Sequence, residues 1–92
     1  MAVLRSRTVR EIRLTLSAAT LTEIRPPIGM MRCVVQNGTT GDVQIHTADD
    51  GSEYRALAAG FERAITAAFY RHDEVAFWLL STPGGLVILE WS

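Results

Sequence analysis

Residues 52–70 read SEYRALAAGFERAITAAFY, and two incompatible secondary structures fit them. Tyr54, Leu57, Ala58, Phe61, Ile65, Ala68 and Phe69 recur at the spacing of one helical face, and Asp50 with Glu53 could form a capping box at its start. Against a helix stands Leu57-Ala58-Ala59-Gly60, which also reads as a turn between two strands, since glycine in a helix interior costs about 1 kcal/mol relative to alanine. Periodicity by itself favours the helix. On that reading the chain is α+β with one helix at about 52–69; on the other it is all-β.

Upstream the pattern has a period of two. Ile12, Leu14 and Leu16 alternate with Glu11, Arg13 and Thr15, which describes a half-buried strand. Leu21-Thr22-Glu23-Ile24 follows a run of small residues, and Pro26, Pro27 and Gly29 then interrupt any ladder, so this segment is expected at an edge or in a loop. Met31, Cys33 and Val35 alternate with Arg32, Val34 and Gln36. Asn37-Gly38-Thr39-Thr40-Gly41 supplies a tight loop, and Val43, Ile45 and Thr47 alternate with Gln44 and His46. Residues 30–47 are therefore expected to form a hairpin, followed by a turn at Ala48-Asp49-Asp50-Gly51.

Downstream, Arg71-His72-Asp73-Glu74 is a charged connector. After it, AFWLLSTPGGLVILEW at 76–91 sets two apolar runs around a Ser-Thr-Pro-Gly-Gly break and reads as a second hairpin. A two-layer domain buries one face of such a pair and leaves the other as an apolar patch that monomers rarely tolerate. Subunit contact is the expected answer, with Phe77, Trp78 and Trp91 as anchor residues. The alternative is a helix over 52–70 that covers the second face and makes a self-sufficient monomer.

Composition limits the function classes. Ninety-two residues allow one core, and 48% hydrophobic with 21% charged residues is a globular balance with no run long enough to span a membrane as a helix. A formal net charge of −1 gives no basic field for nucleic acid. All nine basic residues are arginine, and Arg5, Arg7, Arg10 and Arg13 fall in the first thirteen positions. Residues 1–10 are read as a basic arm, either a solvated terminus or a strap for an acidic or phosphate-bearing neighbour, and 11–92 as a single domain. Charges interrupt any secretory leader, and a cytosolic product is expected. The lone Cys33 excludes an internal disulfide and is expected as core filler.

No residue pattern names a reaction. Without lysine the chain carries no phosphate-loop lysine and no Schiff-base lysine. His46 reads as a strand-face residue and His72 as a loop residue, neither in zinc-hydrolase spacing. Asp49, Asp50 and Glu53 lack the alternating ligand pattern of a calcium loop, and neither Ser52 nor Ser81 lies in a nucleophile-elbow motif. No catalytic, cofactor-binding or metal residue is expected, and the protein is read as a non-enzyme.

Taken in order, VVQNGTTGDVQIHTADDGSEYRALAAGFERAI and AFWLLSTPGGLVILEW resemble the small β-sandwich virion proteins of tailed bacteriophages, including capsid decoration and other head- or tail-associated components. The resemblance spans residues 30–91, and its motifs are loose turn and strand signals; the Arg-rich start and the alanine-rich stretch at 64–68 depart from it. It implies that Leu57-Ala58-Ala59-Gly60 is a turn and that the fold is all-β, a single antiparallel β-sandwich of jelly-roll-like type. It also implies a structural role in the virion, with synthesis in the host cytoplasm. Expected partners are other copies of the chain, in oligomers such as trimers, and a major capsid or tail protein, with no cofactor, nucleic acid or membrane. The reading from a different class is a stand-alone carbohydrate-binding module, in which exposed aromatics form a ligand platform.

Overall fold

The computed structural model describes residues 10–46, 54–66 and 74–92, and these contain eight strands. In chain order they are β1 (Arg10–Leu16), β2 (Thr22–Ile24), β3 (Arg32–Asn37), β4 (Val43–His46), β5 (Tyr54–Leu57), β6 (Glu62–Thr66), β7 (Phe77–Ser81) and β8 (Gly85–Trp91). They form two four-stranded sheets, β1-β8-β3-β6 and β2-β7-β4-β5, in which every pairing is antiparallel. The fold is an all-β sandwich.

The strand order has a simple origin. β1 pairs with β8, β2 with β7, β3 with β6 and β4 with β5, so the chain is one long antiparallel ribbon doubled back between β4 and β5. Rolling that ribbon onto itself brings β3 beside β8 and β4 beside β7 and closes the two sheets. This is the jelly-roll arrangement.

The segment over which two secondary structures compete is strand, turn and strand across its described residues. β5 and β6 flank a turn in which the Phe61 N–H donates to the Ala58 carbonyl at 3.1 Å, and Gly60 adopts a φ of 82°. The helix expected at 52–69 is absent from 54–66. Of the same stretch, residues 52, 53 and 67–70 lie outside the described residues, as do the turn expected at 48–51 and His72.

Both expected hairpins are corrected as well. β3 lies in the first sheet and β4 in the second, and β7 lies in the second and β8 in the first, so these pairs face each other across the core. The physical reason is burial. Phe77 and Leu79 on β7, and Val87, Leu89 and Trp91 on β8, are all nearly inaccessible, which a crossing between sheets allows by turning both apolar faces toward one interior. Phe77 and Trp91 meet there with ring centroids 6.2 Å apart and planes 26° from parallel. The crossing needs Gly84, whose φ is 73°; a Cβ there would stand 2.7 Å from the Leu16 carbonyl oxygen.

Around this contact the core is built from Leu16, Cys33, Val35, Val87, Leu89 and Trp91 of the first sheet. Ile24, Val43, Ile45, Leu57, Phe77 and Leu79 complete it from the second. Buried Asn37 ties the crossings together. Its Nδ2 donates to the carbonyls of Gly41 at 2.8 Å and Leu57 at 2.7 Å, while its Oδ1 accepts from the Thr39 N–H at 2.9 Å and the Thr39 hydroxyl at 2.7 Å. Its backbone N–H donates to Phe61 O, and its carbonyl accepts from Gly60 N–H.

Replacing Asn37 with Ala is expected to lower unfolding stability by about 2–4 kcal/mol in urea titrations, because the Leu57 carbonyl and the Thr39 N–H lose their partner in a buried site, while the Thr39 hydroxyl and the Gly41 carbonyl keep only each other. Asn37→Asp is expected to do no better, since a carboxylate can donate to neither carbonyl.

Candidate functional site

The connections β1–β2, β3–β4, β5–β6 and β7–β8 gather at one end of the sandwich and are mutually bonded. The Ala19 N–H donates to Ser81 O at 2.8 Å, and the Gly38 N–H to Leu86 O at 3.0 Å. At the opposite end β2 turns into β3 through Pro27 to Met30, with Ile28 and Met31 exposed, and Ser92 exchanges backbone hydrogen bonds with Arg32. The strand ends that lead into residues 1–9, 47–53 and 67–73 open at this second end.

Strand register fixes what each outer face displays, because directly paired residues share a face. On the second sheet, Trp78 lies between Glu23 of β2 and His46 of β4, and Leu80 is opposite Gln44. Trp78 and Leu80 are half-buried. His46 is almost fully buried although it occupies an outward position, and its Nε2 donates to the Gln44 side-chain oxygen at 3.0 Å. On the first sheet, Leu86, Ile88 and Glu90 run down β8 beside Thr15, Arg13 and Glu11 of β1 on one side and Gln36 and Val34 of β3 on the other. Gln36 Nε2 donates to Glu90 Oε1 at 2.9 Å, and Arg13 Nε lies 3.6 Å from Glu11 Oε2.

Where this face meets the β5–β6 turn there is a groove of about 410 Å³ lined by Gln36, Asn37, Gly38, Gly60, Phe61, Glu62 and Ile88. Phe61 is 65% exposed. The groove therefore presents an aromatic ring beside an amide, a carboxylate and an aliphatic side chain. Sequence reasoning missed it by assigning Phe61 to a helical apolar face; the available signal was its place directly after the Gly60 turn.

The structure separates the expected interface residues. Phe77 and Trp91 are 1% and 0% exposed, inside the sandwich, so their side chains belong to the core and offer nothing to a neighbouring subunit. Trp78 faces outward. Arg10, expected as the end of the basic arm, is the first residue of β1, exposed and opposite Trp91, while Arg5 and Arg7 lie outside the described residues.

Among the described residues no three His, Cys, Asp or Glu side chains are placed to hold a metal ion. Cys33 is core filler: burial, with Glu90 adding a repulsive charge, pushes its thiol up to about 12 from an ordinary 9.0. No protein-family model, curated protein or solved structure matches the chain.

Cys33 is expected to stay silent toward a disulfide reagent at pH 8 in the native protein and to react fully in urea, as followed by released thiolate absorbance. The folded thiol holds its proton where the unfolded one loses it, so this group's stabilisation is complete below about pH 9 and is lost as pH rises toward 12.

Proposed function

We propose that the chain is a non-enzymatic structural subunit of a tailed-phage virion, a capsid decoration or other head- or tail-associated component that stabilises the particle through subunit contacts. The observation that carries this reading is the set of large apolar side chains at outward positions. Trp78 and Leu80 stand on the outer face of the second sheet, and Leu86 and Ile88 on that of the first. A rigid sandwich with apolar residues on both outer faces is suited to being covered by other surfaces, and the resemblance noted from sequence supplies their nature: other copies of the chain and a major capsid or tail protein. The protein is made in the host cytoplasm and resides in the virion. The arm carrying Arg5 and Arg7 adds a basic strap for an acidic partner.

The chain is expected among the proteins of purified virions produced by the host that carries its gene. Trp78→Ser is expected to reduce its incorporation by about tenfold, as a lost aromatic anchor would, while leaving the circular dichroism spectrum intact. Particles that contain every other structural protein but lack this chain would overturn the reading.

The groove at Phe61 favours a second reading, a small carbohydrate-binding module. An exposed ring can stack on the C–H face of a sugar while Gln36 and Glu62 hydrogen-bond its hydroxyls. On that reading, calorimetric titration with oligomers of glucose, galactose or N-acetylglucosamine is expected to give binding that Phe61→Ala abolishes; no heat with any of them removes it.

A further inference from the structure

A sandwich of two open sheets has four edge strands, here β1 and β6 in the first sheet and β2 and β5 in the second. Exposed edges are templates for pairing with another chain, and proteins block them with short strands, prolines or charges placed on the inward face. Three of the four are blocked in these ways. β2 is only three residues long and runs into Pro26 and Pro27. β5 carries Arg55 opposite the inward-facing Ile45, and β6 carries Arg63 opposite the inward-facing Val35.

β1 is different. It is seven residues long and has no proline or glycine, and its one inward charge, Arg10 opposite Trp91, stands at its first position, which leaves Ile12, Leu14 and Leu16 as an apolar inward row. Ile12 and Leu14 are only half-buried, and no described strand pairs with the outer edge of β1.

The outward residues of β1 are self-complementary in one register. An antiparallel pair of β1 strands related by a two-fold axis at Ile12 sets Glu11 opposite Arg13 of the partner subunit, and Arg13 opposite Glu11 of the partner subunit. A two-fold at Arg13 or at Glu11 would instead oppose like charges, and a two-fold at Leu14 would set Arg13 opposite a threonine.

We propose that two copies of this chain join through antiparallel pairing of their β1 edges about a two-fold axis at Ile12, merging the two first sheets into one. The inference rests on the assembly reading above and names its partner as a second copy. The contact is isologous and closes as a dimer, in place of the trimer that the resemblance implies.

Sedimentation velocity on the wild-type chain from about 5 to 500 µM tests it, together with Glu11→Arg, Arg13→Glu and the double exchange. The expected result is a concentration-dependent dimer that each single reversal weakens by about tenfold or more and that the double exchange restores. The restored double variant distinguishes lost pairing from lost folding. A wild-type monomer throughout would overturn the pairing without touching the virion test, which reads incorporation into particles. A wild-type dimer indifferent to both reversals would also overturn it and would place the contact on another surface, leaving the assembly reading standing.

Discussion

Doubling a β-ribbon back on itself sends four chain crossings through one end of the sandwich, and each takes backbone polar groups out of the ladders that would otherwise satisfy them. Asn37 resolves this for two of the four crossings. One carboxamide caps the Gly41 carbonyl in the β3–β4 connection and the Leu57 carbonyl at the end of β5, and its oxygen holds Thr39 in place. Its main chain holds Gly60 and Phe61 on the other side of the same junction. Side chain and main chain of this one residue thus join the β3–β4 and β5–β6 connections, beside which the Phe61 groove lies.

In the alternating strands, what could be read from sequence was the face of each residue, and what could not was its partner. Alternation identified β1, β3 and β4 and most of their inward side chains, because period two reports which side of a sheet a residue occupies. It carries no information on whether the next strand lies alongside or across the core. Asn37-Gly38 and Pro83-Gly84-Gly85 are compatible with either, so two crossings between sheets looked like hairpins. The ambiguity over 52–70 has a sharper cause. The inward positions of β5 and β6 are Arg55 and Leu57, then Arg63 and Ile65, so arginine occupies two of the four positions where alternation would require an apolar residue. With the period-two signal masked, the accidental spacing of Leu57, Phe61 and Ile65 was left to suggest a helix.

The same logic explains why the faces of the C-terminal aromatic residues were not legible. Phe77, Trp78 and Trp91 are chemically alike in a continuous apolar run, and the run does not reveal which parity faces inward. The crossing at Gly84 sets that parity, placing Phe77 and Trp91 in contact inside and Trp78 beside His46 outside. The groove could not be found from apolar patterning, since it depends on residues from three strands and a turn meeting in space.

The insertion of β8 between β1 and β3 bears on the order in which the molecule can be built. Among the described strands β1 pairs only with β8, and β3 only with β6 and β8, so neither half of the first sheet is joined to the other until residues 85–91 are in place. A nascent chain on the ribosome therefore holds β1 unpaired until residue 91 has been synthesised and has cleared the exit tunnel. Closure must then bring β1 and β8 together across every strand between them in the sequence. Such non-local pairing is slow, and it leaves the apolar segments of the incomplete chain as clients for chaperones that hold unfolded strands.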